Sequence, residues 1–291
     1  MRRTAVAVLA VLVAAGCSKA QTESIALCNR GVKAYQRGDI NLAVSLFDGA
    51  IALYPKNEVA HFQLGLILLH ERKDLAAAER ELSEAAKLNP KDLEVTFQFG
   101  RLALARNDFD GALQKFQEVL KGEPGHVGAL YWAGVSHHRR GRLNEADELW
   151  RKAITADPTY ARAYSALAMM YLEAGAESEA MAVLKEAIRV NPEDPECHLN
   201  LGVVFLATGN DKAAVDSLTR GIELDPENGT GAFNLANALI RLNRLHEAGY
   251  YLKRFIVDGQ EKGHDLVEPA RRILENLQRL IINEERAKAG G

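Results

Sequence analysis

The chain has 291 residues, with 36 basic against 39 acidic side chains. Leaving out Arg2 and Arg3 makes the balance 34 to 39, a net charge of −5, and the densest basic cluster is Arg139-Arg140-Gly141-Arg142. A helix end accounts for that cluster, since cations favour the C-terminal dipole, so a nucleic-acid-binding stripe is excluded. Of the three cysteines, Cys28 and Cys197 lie in distant parts of the chain, so a disulfide between them is not expected.

The first element is an address. Arg2-Arg3 precede an uncharged, mostly apolar run from Thr4 to Ala15, then Gly16-Cys17. A basic start and about 12 apolar residues make a secretory signal, too short to span a bilayer. Ala14-Ala15-Gly16-Cys17 resembles the bacterial lipobox, although Ala14 stands where that family usually has leucine. The resemblance implies removal of residues 1–16 and lipidation of Cys17, with Ser18 after the cysteine implying outer-membrane sorting. Ser18-Lys19-Ala20 is also a small-x-small site, so cleavage after Ala20 stands as the alternative. Residues 17–23 are then a short tether.

From residue 24 one pattern recurs seven times at a period of 34. Pro55, Pro90, Pro124, Pro158, Pro192 and Pro226 mark it. Ala43, Ala78, Ala112, Ala146, Ala180, Ala214 and Ala248 form a second column in the same register. Gly31, Gly65, Gly100, Gly134, Ala168, Gly202 and Ala236 form a third. Such a period means stacked supersecondary units, here 24–57, 58–92, 93–126, 127–160, 161–194, 195–228 and 229–262. In the fifth unit, Ala163, Tyr164, Leu167, Ala168 and Tyr171 make the apolar stripe of a first helix. Gly175 closes it in a left-handed turn, with Gly38, Gly141, Gly209, Asn107 and Asn243 in the same place. Ala180, Val183, Leu184, Ala187 and Ile188 make the second helix, and Pro192 forbids its continuation. The second unit has one extra residue, assigned to its turn at Arg72-Lys73-Asp74. Residues 263–291 then predict a capping helix: Leu266, Ala270, Ile273, Leu274, Leu277, Leu280 and Ile281 share one face, with Asp265 and Glu268 as a capping box.

The period and the residue types resemble the tetratricopeptide repeat family. Leu130, Ala133-Gly134, Gly141, Ala146, Trp150, Ala153 and Pro158 show this in the fourth unit, and Gly31, Gly38, Ala43, Phe47, Ala50 and Pro55 in the first. The resemblance implies an all-α, right-handed superhelical solenoid of seven helix-turn-helix repeats with a C-terminal capping helix. It also implies that the second, fifth, ninth and twelfth positions of each first helix face a concave groove.

Nothing in the sequence specifies catalysis. The eight histidines are scattered, and adjacent His137 and His138 point about 100° apart on a helix. Gly122-x-x-Gly125-x-x-Gly128 follows no strand and is a loop, not a phosphate cradle. The expectation is therefore no enzyme, metal or cofactor, no nucleic acid and no small-molecule substrate. The partner-binding groove is expected to comprise Phe62, Leu69, Phe97, Arg101, Leu104, Tyr131, His138, Met169, Leu172, Phe233 and Asn237. Its ninth and twelfth columns are mostly aliphatic, which suits an apolar or amphipathic protein segment. No lysine occupies the fifth position of any repeat, so the terminal-carboxylate clamp of some cytosolic members is not expected. The signal-plus-repeat layout resembles type IV pilus pilotins and envelope adaptor lipoproteins. The expected function is a lipid-anchored scaffold facing the periplasm that assists an envelope complex such as a pilus secretin. The alternative is a soluble periplasmic chaperone, or an adaptor for proteases and peptidoglycan enzymes.

Overall fold

A computed structural model describes residues 18–262 and 265–289; Cys17 and the segment expected to be a signal lie outside the described residues. These residues form helical hairpins, with no strand among them. Each repeat contributes a first and a second helix: α1 (Lys19–Gln36) and α2 (Ile40–Leu53), α3 (Glu58–Ile67) and α4 (Leu75–Leu88), α5 (Leu93–Ala105) and α6 (Phe109–Gly122), α7 (Val127–Arg139) and α8 (Leu143–Ala156), α9 (Ala161–Glu173) and α10 (Glu177–Val190), α11 (Pro195–Ala207) and α12 (Asp211–Leu224), α13 (Gly229–Arg241) and α14 (Leu245–Lys262). α15 (Val267–Ala289) follows and packs on α14. The fold is thus all-helical, of the tetratricopeptide-repeat type. Two compact units divide it, residues 1–146 and 147–291.

Local chemistry sets the hairpins. The residue that turns the chain between first and second helix has positive φ in every repeat: Gly38, Lys73, Asn107, Gly141, Gly175, Gly209 and Asn243. Six of these are glycine or asparagine, the residues that adopt this conformation at least cost. Side-chain caps then start the helices. Asp39, Asp74, Asp108 and Asn210 accept the N–H groups of Leu42, Ala77, Gly111 and Ala213 at second helices. Asn57, Asp92, Asp194 and Asn228 cap first helices in the same way.

The two helices of a repeat lock by size complementarity. A Cβ built on Gly31, Gly65, Gly100 or Gly202 would come within 2.8, 2.9, 2.5 and 2.4 Å of Phe47, Leu82, Phe116 and Leu218 respectively. Each of those larger side chains is fully buried. The small column on the first helix is therefore a socket for a large residue on the second, and the alanine column packs beside it. Repeats are joined by arginines near the ends of first helices that reach back to the preceding repeat's second helix. Arg72 donates to Asn41, Arg140 pairs with Asp110, and Arg106 donates to Glu79 at 2.6 Å. In the second unit Arg241 donates to the Leu206 carbonyl at 2.9 Å and pairs with Asp211.

Two expectations need correction. The extra residue of the second repeat does not lengthen the turn: α3 absorbs it as a π turn over Leu68–Arg72, so the helix keeps its hydrogen bonds while its register shifts by one. Of the expected tether, residues 18–23 already belong to the first helix and its cap. α1 starts at Lys19, with Ser18 accepting the Gln21 N–H at 3.2 Å, and Ser24 is already core, donating to the Ala50 carbonyl at 2.6 Å. Cys28 and Cys197 are both buried free thiols.

The socket predicts a sharp response. Gly202→Ala would gain helix propensity yet drive a methyl into fully buried Leu218, and overpacking costs roughly 1–3 kcal/mol. Thermal melts should show Gly202→Ala less stable than wild type. Gly125→Ala, where nothing lies within 4 Å of the new Cβ, should not lose stability.

Candidate partner-binding face

The face in question lies on the first helices, and each unit presents its own portion. In the first unit the fifth-position residues divide by depth. Cys28 and Phe97 are buried, with Phe97 packed 5.7 Å from Phe116 and 5.0 Å from the His126 ring. Phe62 and Tyr131 are half-buried, and Tyr131 meets Trp132 edge-on at 4.9 Å. At the ninth position Leu66 and Arg101 are half-buried, and the Arg101 guanidinium lies 3.9 Å over the Trp132 ring, a cation–π contact. At the twelfth position Leu104 and His138 are half-buried. Val59, at a second position, is 41% exposed.

Leu69 and Phe97 are not open side chains. The π turn moves Leu69 inward, against Ala78 and Leu102, and brings His70 into the place that Leu69 was expected to hold. His70 Nε2 donates to Gln98 Oε1 at 3.1 Å, and Gln98 Nε2 donates to Glu94 Oε1 at 2.8 Å. Tyr35 donates to Glu71, inside the same π turn, at 3.0 Å. An inserted residue has thus replaced an aliphatic position with a polar relay across α3 and α5. The sequence signal was available: counted back from the left-handed residue Lys73, His70 falls in the twelfth place.

In the second unit the twelfth column is aliphatic throughout, and the ninth is aliphatic except at Asn237. Met169 and Leu172 on α9, Val203 and Leu206 on α11, and Asn237 and Ile240 on α13 are all half-buried. Their inner edges touch the core: Leu172 packs against the Tyr164–Leu184 cluster, and Leu206, Phe233 and Ile240 against that of Leu235 and Leu252. Ser165 and Leu199, at fifth positions, are buried, whereas Phe233 is half-buried and lies 5.1 Å from Phe255. The fifth column is therefore largely inter-helix packing. The ninth and twelfth columns keep an open side.

No three histidine, cysteine or carboxylate side chains gather as a metal site among the described residues. No described helix is long and apolar enough to cross a membrane. Burial pushes the Cys28 thiol up to about 11 and the Cys197 thiol higher still, so neither is a ready nucleophile.

A tetratricopeptide-repeat family model matches residues 28–92, 97–161 and 199–261, and a second matches 138–201 and 171–226. The chain belongs to the tetratricopeptide repeat family. No curated protein matches the chain. Among solved structures, a tetratricopeptide repeat protein from Parabacteroides merdae is 16% identical with a TM-score of 0.65, covering 88% of this chain and 99% of that one. PilW, described as a widely conserved type IV pilus biogenesis factor, is 19% identical with a TM-score of 0.63, over 74% of this chain and 98% of its own. Pseudomonas aeruginosa PilF is 15% identical with a TM-score of 0.58, over 72% and 95%. These likenesses establish the fold. The repeats make the chain a protein-interaction scaffold, a fold that typically carries no catalysis.

Two histidines beside this face should titrate in opposite senses. His61 Nδ1 lies 2.7 Å from a Glu81 carboxylate oxygen and Nε2 lies 3.0 Å from the Pro55 carbonyl oxygen. Both neighbours are acceptors, so both hydrogen bonds are made only when the ring is protonated. The Glu81 hydrogen bond raises its pKa against the opposing effect of burial. His70 is pushed down, by burial first and then by Arg101. A raised pKa gives stability that is complete below the unfolded value, about 6.5, and lost as pH rises through the folded value. A lowered one gives stability present above about 6.5 and lost as pH falls. NMR titration should place His61 above and His70 below the ordinary range. The melting-temperature gap between wild type and His61→Gln should narrow as pH rises; a gap that widens would contradict the doubly hydrogen-bonded imidazolium.

Proposed function

We propose that this chain is a lipid-anchored scaffold facing the periplasm, probing for no small molecule, whose first-helix face takes an apolar or amphipathic segment of an envelope protein. The observation that carries this reading is the run of half-buried aliphatic side chains at the ninth and twelfth positions, where water-facing positions of a free surface would ordinarily be polar. A partner helix laid on the column of the second unit would bury the open edges of Leu172, Leu206 and Ile240 without repacking the core. The aromatic and charged group around Arg101 and Trp132 adds a site with directional preference, since tryptophan and arginine commonly anchor interfaces.

Anchoring rests on Ala14-Ala15-Gly16-Cys17 and on where the fold begins. Cleavage before Cys17 keeps Ser18, the cap of α1; cleavage after Ala20 would remove it. The pathway rests on the signal-plus-repeat layout, with the fold likeness to PilW, described as a type IV pilus biogenesis factor, as support, and the partner proposed is a secretin complex of a type IV pilus. The soluble chaperone or enzyme-adaptor reading is kept apart by the anchor, because a shuttling protein should be free.

Cys17→Ser should move the protein from the membrane to the soluble fraction, because stable attachment takes more than one acyl chain. An alkyne-fatty-acid probe should label wild type and not the variant; an unlabelled wild type contradicts the anchor. Leu104→Ser and Leu172→Ser should each cost less than the about 2–5 kcal/mol of a fully buried site. Together they should lower secretin multimers seen on immunoblots of envelopes. Unchanged multimers with a stable variant would place the function on another surface.

A further inference from the structure

The turn into the last repeat holds the chain's single Asn-Gly pair, Asn228-Gly229; every other asparagine is followed by a larger residue. A side chain on the following residue hinders attack of that residue's backbone nitrogen on the asparagine amide, and glycine has none. Asn228 caps α13. Its Oδ1 accepts the Gly231 N–H at 2.9 Å, and its Nδ2 donates to Asp225 Oδ2 at 3.1 Å. Asn57 caps α3 alike, with Oδ1 accepting the Ala60 N–H at 3.1 Å and Nδ2 donating to Ser24 at 2.8 Å, but Glu58 follows it. The same cap thus occurs with the reactive neighbour in one repeat and without it in another.

The first turn of α13 leans on its cap more than its counterparts do. It reads Gly229-Thr230-Gly231, and each glycine is about 1 kcal/mol less favourable than alanine in a helix. α3, α5, α9 and α11 have no glycine in their first three residues, and α7 has one. Packing requires only the second of the pair. A Cβ on Gly231 would come within 2.6 Å of Leu199 Cδ2. A Cβ on Gly229 would meet nothing closer than Phe255 Cδ2 at 3.4 Å, an ordinary contact, and Gly229 has no positive φ. Gly229 can therefore be changed without disturbing the fold.

We propose that Asn228 is a site of spontaneous deamidation, gated by release of the α13 cap. The Gly229 N–H is one of the donors that a helix start leaves without an intrahelical acceptor. Once hydroxide has taken its proton, this nitrogen bonds to Asn228 Cγ, and the side-chain nitrogen takes up a proton and leaves as ammonia. The resulting five-membered succinimide adds water, and opening at either carbonyl gives aspartate or isoaspartate. No electrons are exchanged, and water is the sole co-reactant. In the capped state Cγ is held through both its substituents, Oδ1 by the Gly231 N–H and Nδ2 by Asp225. The ring closes only when those bonds are released, a local opening and not a global one. Neither product restores the cap. Aspartate keeps an acceptor for Gly231 but sets a second carboxylate beside Asp225. Isoaspartate adds a methylene to the main chain and moves the carboxylate off the Gly231 N–H. Both loosen the start of the helix that carries Phe233, Asn237 and Ile240, so the modification reaches the candidate face at its last repeat.

Peptide mass spectrometry of the full chain, aged in mildly alkaline buffer with and without denaturant, tests this. Residue 228 should show the mass gain of NH2 replaced by OH, and an isoaspartate-specific methyltransferase should label the same peptide. Asn57 should stay intact over the same period. The native reaction should run slower than the denatured one by about fivefold or more, the factor that a typical helix cap represents. Asp225→Ala removes one of the two bonds and should speed the native reaction while leaving the denatured rate unchanged. Gly229→Ala should suppress modification in both states without lowering the melting temperature. Amides of α13 should exchange faster in the modified protein than in fresh protein. No modification of residue 228 in the denatured chain, equal native and denatured rates, or a native rate indifferent to Asp225→Ala overturns the proposal. So does modification of Asn57 as fast as Asn228, which would leave Gly229 without a role.

Discussion

The contact on which everything else depends is a missing side chain. At the eighth position of the first helix a glycine or alanine leaves a socket, and a phenylalanine or leucine from the second helix fills it. Phe47 in Gly31, Phe116 in Gly100 and Leu218 in Gly202 are the same device repeated. It brings two helices closer than ordinary side chains allow, and the buried large residue supplies apolar burial of roughly 1.5–3 kcal/mol per side chain. Because every repeat solves its packing locally, stability accumulates between neighbours, and no disulfide joins the two buried cysteines.

That economy decides which residues are available for function. With the socket and the alanine column facing inward, the ninth and twelfth positions are carried to the edge of the core. They touch it on one side and remain open on the other. In the second unit this yields an aliphatic column. In the first unit one inserted residue changes the chemistry: the π turn at Leu68–Arg72 rotates Leu69 into the core and His70 out, joining it to Gln98 and Glu94. A single extra residue thus gives one stretch of the face hydrogen-bonding character that the neighbouring stretches lack.

Most of the fold was legible in the sequence because its determinants are short-range. Left-handed Gly and Asn residues, helix caps and helix-ending prolines act within a few residues, and seven copies make them unmistakable. Lys73 was placed in the turn but not recognised as its left-handed residue, because it is neither glycine nor asparagine, and the extra residue was therefore assigned to the turn instead of to the helix before it. The residue that fills the small column was not legible: it is the larger side chain one turn on from each alanine, a choice set by three-dimensional packing. Leu69 and Phe97 looked like groove residues for the same reason: position within a repeat specifies a side of the helix, but not how deeply the next helix covers it. Cys17 and the signal are read from sequence alone and lie outside the described residues.

Hydrogen exchange on Phe116→Ala offers the most direct measurement of this account. The substitution empties the socket beneath Gly100 in the third repeat. If neighbour-by-neighbour packing holds the molecule together, amide protection should fall most in α5 and α6, less in α4 and α7, and little in α12 and α13. Protection lost evenly across both units would show a single cooperative core, and unchanged protection in α5 and α6 would show that the socket does not hold the repeat.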